Sequence, residues 1–290
     1  GIVGAFPSLN ARPSGMFERW LQQLGEALTE QDAPFAVNLI VHRTNTRLEE
    51  DLELCVRYRV PIVITSLGAR EDVNQAIHSY GGIVLHDVIN NMFARKAVEK
   101  GADGLIAVAA GAGGHAGTLS PFALVQEIRQ WFDGPLALSG AIATGRAIAA
   151  ARMMGADLGY MGTPFIATQE APVHENVKQA LVDADELQTQ LIMPPLRNTE
   201  RVLRNSATEK VLEIEREKGS DLDIEHIRHL VSGAGGRTVL HEGKMDAGVF
   251  SCGMVTGLIH DIPTCKELID RIMAEANEII RGRLEGLLSS

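Results

Sequence analysis

Gly111-Ala112-Gly113-Gly114-His115-Ala116-Gly117 sets one histidine among four glycines. Histidine is the side chain whose unperturbed pKa, roughly 6.5, lets it take or give a proton near neutral pH. Glycine lets backbone approach a ligand closely and adopt positive φ. Ser139-Gly140-Ala141 and Gly162-Thr163 are small-residue turns whose backbone N–H groups suit a phosphate. Asn38, His86 and Ser251 complete the candidates. Each has a plainer alternative. The glycine loop could be a mobile turn, and the two small-residue turns ordinary strand-to-helix connections. His86 could be a satisfied structural histidine, Asn38 a turn former, and Ser251-Cys252-Gly253-Met254 a segment packed on a rim.

Two other chemistries are weaker. Gly111-Ala112-Gly113-Gly114-His115-Ala116 fits G-x-G-x-x-A, with Asp133 about 20 residues on. A dinucleotide fingerprint needs its helix to start within the glycines, whereas Gly117 and Pro121 delay it here. Asp133 also closes a helix rather than a strand. No His/Cys/Asp/Glu cluster has metal-ligand spacing, so no metal is expected. His226 and His229 could share a helix face, which suits a solvated surface.

The elements that must position these residues alternate. Apolar runs at 2–6, 35–40, 62–66, 83–86, 105–110, 136–139 and 158–161 read as strands. Helical spacing lies between them: Met16, Trp20, Leu21, Leu24 and Leu28; Leu48, Leu52 and Val56; residues 71–80, 92–100, 121–132 and 145–154. Repeated βα implies parallel strands with right-handed crossovers. The count is seven strands, and a closed (β/α)8 barrel needs eight. The simplest reconciliation places the first strand before Gly1, a start that is not methionine. The rival is an open doubly wound sheet. In a barrel the candidates Asn38, His86, His115, Ser139 and Gly162 fall at C-terminal strand ends, where such folds carry function.

From about Thr168 the alternation stops. Residues 172–184, 198–218 and 223–231 read as charged helices, and 265–288 as a long amphipathic helix closing the barrel. The expected division is a barrel of 1–168 with 248–290 and a helical cap of 169–247. Its apolar residues suit either a lid or a homodimer contact.

The 290 residues are 45% apolar, enough for a large core. A formal charge of −10 without a basic run argues against nucleic acid. Cys55, Cys252 and Cys265 are odd in number and far apart, which fits a reducing cytoplasm. No apolar run approaches a membrane span and no signal peptide opens the chain.

Across these motifs the chain resembles the FMN-dependent nitronate monooxygenases, once called 2-nitropropane dioxygenases. The matching segments are the loop 111–117, Leu138-Ser139-Gly140-Ala141-Ile142-Ala143-Thr144-Gly145, and Met161-Gly162-Thr163-Pro164-Phe165. Val37-Asn38, Leu196-Arg197-Asn198-Thr199 and Gly253-Met254 with Gly257-Leu258 match as well. The resemblance implies a (β/α)8 barrel with a helical second domain and FMN at the barrel top. Gly113 and Gly114 would lie beside the flavin, their lack of side chains giving it clearance, with His115 as the catalytic histidine. Ser139, Gly140, Ala141, Gly162 and Thr163 would hold the phosphate. Asn38 would lie near the ring or ribityl chain, and Ser251 would line the substrate pocket, for which His86 at its strand end is a further candidate. The implied reaction oxidises a nitronate with O2 to a carbonyl compound and nitrite.

Three departures stand out. The family's first-strand Pro/Met/Gly segment is not seen. Asp87 stands where some relatives have lysine. Ala141 replaces a common glycine, which requires negative φ there. FMN-dependent enoyl-ACP reductases and NADH:quinone reductases share these motifs and form the nearest alternative. A flavin-free barrel binding a phosphorylated metabolite is the alternative from another class.

Overall fold

The computed structural model describes residues 2–196, 198–284 and 286. Its strands are β1 (Ala5–Pro7), β2 (Ala36–Ile40), β3 (Ile62–Ser66), β4 (Ile83–Val88), β5 (Gly104–Val108), β6 (Gly114–His115), β7 (Leu136–Ser139), β8 (Leu158–Tyr160), β9 (Thr189–Ile192) and β10 (Glu200–Leu203). One sheet holds seven of them in the order β1-β2-β3-β4-β5-β7-β8. Neighbours from β1 to β5 pair in parallel, as do β7 and β8. Spatial order follows chain order without reversal, and helices such as Leu48–Arg57, Asn91–Glu99 and Gly145–Met154 make the crossovers. A doubly wound sheet reverses its order at a switch point. This sheet is instead of the (β/α)-barrel type.

The crossovers begin where polar side chains cap free N–H groups. Asn90 accepts from the Phe93 N–H and starts Asn91–Glu99, and Thr144 accepts from the Ala147 N–H and starts Gly145–Met154. The strands stay apolar because a parallel sheet is covered on both faces. Val63, Val84, Leu105, Ala107 and Leu138 are accordingly buried.

The chain forms two compact units, residues 1–107 with 128–136 and residues 108–127 with 137–290. In the first, Phe17 and Leu21 of the helix Met16–Ala27 are buried in one cluster with Val37, Leu39 and Val63. Each such side chain contributes about 1.5–3 kcal/mol. Phe6 meets Phe17 and Trp20 edge-on, with centroids at 6.2 and 5.5 Å. The buried Asp51 carboxylate accepts from Ser8 Oγ at 2.7 Å and pairs with Arg47 Nη2 at 2.9 Å. A buried charge persists only with such partners.

The second unit departs from the sequence expectation at residues 198–218. Residues 200–203 are a strand, and the helix is Ser206–Lys218. Asn205 fixes that start, because its side chain accepts from the Thr208 N–H at 2.8 Å and leaves the preceding residues extended. A small antiparallel sheet, β6-β10-β9, results. The helix expected at 223–231 is Ile224–Val231, capped by Asp223. Gly233 opens a further helix, Gly233–Glu242, capped by Ser232. The C-terminal helix is Cys265–Glu278, capped by a Thr264–Glu267 box, and it passes into a wider π-type turn, Ile279–Leu284. Leu287 and Leu288 of the expected helix lie outside the described residues. The segment 169–247, which we propose as a cap, lies wholly in this unit. Among the described residues, no helix is long and apolar enough to cross a membrane, and no cluster of three or more His, Cys, Asp or Glu could hold a metal ion.

Candidate functional site

In the second unit the chain leaves β5 and folds back at once. The Ala109 N–H bonds the Ser139 carbonyl at 2.8 Å, and the Ala110 N–H bonds the Leu119 carbonyl at 2.8 Å. Between those anchors the glycine loop runs out to β6. Residues 251–254 then pass against it. The Met254 N–H bonds the Gly111 carbonyl at 2.9 Å, and the Gly253 N–H bonds Thr163 Oγ1 at 2.8 Å. The structure therefore brings together Gly113, Gly114, His115, Thr163 and Ser251, candidates far apart in sequence.

Two glycines have a definite reason. A Cβ on Gly113 would lie 2.5 Å from the Cys252 carbonyl carbon and 2.6 Å from Gly253 N. A Cβ on Gly140 would lie 2.8 Å from the Ala109 carbonyl oxygen, at φ +114. Both are required by the protein's own backbone packing. The expectation that a side chain is missing at Gly113 to clear a flat ring is corrected here, because its Cβ direction points into segment 252–253. Gly162 differs: nothing lies within 4 Å of a Cβ placed there.

Ala141 corrects a second expectation. Its φ is +58, in the left-handed region, not negative. Gly140 and Ala141 are thus successive positive-φ residues. A side chain at such a φ costs about 1–2 kcal/mol. Ala141→Gly is expected to raise unfolding stability by about 1 kcal/mol, read as a higher urea midpoint at unchanged slope. An unchanged or lower midpoint would show that the turn is unstrained.

The phosphate candidates must present unspent donors. The N-terminus of Gly145–Met154 does not, since Glu275 Oε2 accepts the Gly145 N–H at 2.8 Å. That leaves the exposed Ala141 and Gly162. No described residue makes a hydrogen bond to the backbone N–H of either. Thr163 is buried, and its hydroxyl oxygen is already engaged by Gly253. Ser139 is half-buried at the end of β7. The small residues, the unspent N–H groups and the open space at Gly162 fit a phosphate held by N–H groups rather than by a cationic side chain.

His115 is exposed on β6 and stands directly opposite Glu200 of β10. Directly opposed residues share a sheet face. Glu200 Oε1 accepts from Ser251 Oγ at 2.5 Å, so a carboxylate and a hydroxyl accompany the histidine. Sequence reasoning missed Glu200, because a helix was expected there. Arg201, opposite Gly114, was missed for the same reason. Its Nη1 donates to Thr189 Oγ1 at 3.0 Å, its Nε is buried without a partner among the described residues, and burial weakens its hold on its proton. Cys252 is buried, and burial pushes its thiol up to about 12, which rules it out as a thiolate at neutral pH.

The remaining candidates lie in the first unit. His86 is 5% exposed, and its Nδ1 meets Thr65 Oγ1 at 2.6 Å. Burial lowers its pKa to about 4, so it is neutral at physiological pH. That is the geometry of a structural histidine. Half-buried Asn38 of β2 donates through Nδ2 to Ser66 Oγ at 2.6 Å and to the Ile64 carbonyl at 3.2 Å, and Ser66 Oγ donates to Asp87 Oδ2 at 2.6 Å.

A parallel (β/α)-type sheet with bare backbone at its last two strand ends, and an exposed histidine in the same unit, suits a phosphate-bearing ligand. The chain belongs to the nitronate monooxygenase family, whose model matches residues 9–275. It is an oxidoreductase on that basis. It is 28% identical to (3aS,4S,5R,7aS)-5-hydroxy-7a-methyl-1-oxo-octahydro-1H-indene-4-carboxyl-CoA dehydrogenase of Rhodococcus jostii (strain RHA1), over 86% of this chain and 79% of that one. The structure is similar to FabK from Thermotoga maritima, with a TM-score of 0.86 and 29% identity over 96% of this chain and 85% of that one. It shares the fold of nitroalkane oxidase from Streptomyces ansochromogenes, with a TM-score of 0.78 and 22% identity over 95% and 89% of the two chains.

Proposed function

We propose that this protein is an FMN-dependent oxidoreductase that oxidises alkyl nitronates, such as propionate 3-nitronate, with O2 to a carbonyl compound and nitrite. The observation that carries this reading is His115, an exposed imidazole held by strand pairing in a chain that matches the family over residues 9–275. Bound FMN would supply the electron acceptor that no side chain here provides. Backbone N–H groups of Ala141 and Gly162 would hold its phosphate, with Ser139, Gly140 and Thr163 shaping the two turns around it. Gly113 and Gly114 would lie beside the ring, and Asn38 would meet the ring or the ribityl chain.

His115 has two parts open to it. As imidazole it takes the proton from the α-carbon of a neutral nitroalkane, at a nitrogen within hydrogen-bond reach of that proton. As imidazolium it pairs with a nitronate already formed. Ser251, with its proton donated to Glu200, offers the substrate an acceptor oxygen rather than a donor.

A second reading is favoured by the Rhodococcus jostii relative, which aligns over 86% of this chain and is named a dehydrogenase of a CoA thioester. On that reading bound FMN would carry electrons from NAD(P)H to an acceptor such as a quinone or an enoyl thioester. Anaerobic mixing separates the two. Bleaching of the flavin absorbance near about 450 nm by a nitronate, and not by NADH, is expected. Bleaching by NADH alone would reject the nitronate reading, and a colourless protein that takes up no FMN would reject both.

A further inference from the structure

We infer that Asp87 acts through Ser66 to hold Asn38 as a hydrogen-bond acceptor toward the bound cofactor, an assignment that rests on the flavin reading above. The direction of every bond in this chain is fixed by what its ends can do. A main-chain carbonyl only accepts, so the Asn38 group 3.2 Å from the Ile64 carbonyl oxygen is its NH2. The same NH2 faces Ser66 Oγ at 2.6 Å. An aspartate carboxylate also only accepts, so the Ser66 hydroxyl spends its one proton on Asp87 Oδ2, at 2.6 Å. Ser66 Oγ must then receive the Asn38 N–H through a lone pair. Both Asn38 N–H bonds are consumed, and only Oδ1 remains to meet a ligand. No described residue donates to that oxygen.

The position suits the role. Asn38, Ser66 and Asp87 belong to the adjacent parallel strands β2, β3 and β4, and Ser66 closes β3 at its C-terminal end. Ser66 is 4% exposed, so water does not compete for its hydroxyl. A charged acceptor at the far end strengthens each bond before it and penalises a flipped amide. The oxygen therefore selects an N–H or O–H donor on the ligand and disfavours an anionic edge. In FMN two groups qualify, the imide N–H of the ring and the hydroxyls of the ribityl chain.

The test uses the 290-residue protein depleted of flavin, titrated by fluorescence quenching with FMN, riboflavin and lumiflavin, which has the ring but no ribityl chain. Ser66→Ala and the isosteric Asp87→Asn are both expected to weaken FMN binding about threefold to tenfold, the effect of misdirecting one hydrogen bond. A loss shared by lumiflavin supports the inference and assigns the donor to the imide N–H. A loss confined to FMN and riboflavin supports it and assigns the donor to a ribityl hydroxyl. The ratio of FMN to riboflavin affinity reads the phosphate alone and is expected to stay constant. A shift in that ratio marks general collapse of the site and overturns the assignment, as does wild-type FMN affinity in both variants. Wild-type protein that takes up no FMN overturns the flavin reading itself, and this inference with it.

Discussion

Replacing His115 by asparagine is expected to leave FMN bound and to lower nitronate turnover by about two to four orders of magnitude, the usual contribution of a positioned acid or base. The local structure should survive the change. His115 is exposed, and its place on β6 is fixed by backbone pairing with Glu200 and by the Ala116 N–H bond to the Thr199 carbonyl at 3.2 Å. Neither contact uses the imidazole. Asparagine keeps a polar side chain but cannot exchange a proton near neutral pH. The measurements are steady-state turnover with propyl-2-nitronate and flavin content from the absorbance ratio near about 450 nm to 280 nm. Turnover equal to wild type would remove His115 from the mechanism. Loss of flavin together with activity would make it a binding residue instead.

The second large effect is on stability against acid. His86 is 5% exposed and held by Thr65, and burial lowers its pKa from 6.5 to about 4. Between those two values the unfolded chain binds a proton at this site that the folded chain does not. Stability therefore rises with pH in that window. It is fully present above about pH 6.5 and is lost as pH falls toward about 4. Across the window the contribution is about 3 kcal/mol, since a proton bound by one state alone changes stability by roughly 1.4 kcal/mol for each pH step of one. Urea unfolding from pH 7.5 down to pH 4.5 is expected to show a larger loss in wild type than in His86→Gln, which has nothing to protonate. Parallel losses in the two proteins would mean that His86 is charged or solvated in the folded state.

Some of this was legible in the sequence for physical reasons that are local. A strand covered on both faces must be continuously apolar, so β2, β3, β5 and β7 stand out as short runs. Helices announce themselves by spacing, as with Gly145–Met154 and Cys265–Glu278. Chain order then gave the barrel type, because strict βα alternation allows few topologies. The family was legible as well. Its glycine and small-residue turns lie at fixed separations, and those separations are set by the lengths of strands and helices.

The site needed long-range pairing. Residues 200–203 could have continued a charged helix, and only β6 and β9 on either side make them a strand. Glu200 stayed hidden for that reason, since its partners His115 and Ser251 lie 85 and 51 positions away along the chain. The polarity of Asn38 was equally out of reach, because it depends on Ser66 and Asp87 arriving from two other strands. Ala141 shows the limit most plainly. Residue type favours negative φ there, and the turn that joins β7 to its helix imposes +58. By itself the sequence determined the strands and helices of the alternating run up to about residue 168, their order and the family, because those follow from burial and propensity along neighbouring residues. Only the tertiary structure decided which polar groups meet and which way their hydrogen bonds run, because each bond joins atoms that chain order alone does not bring together.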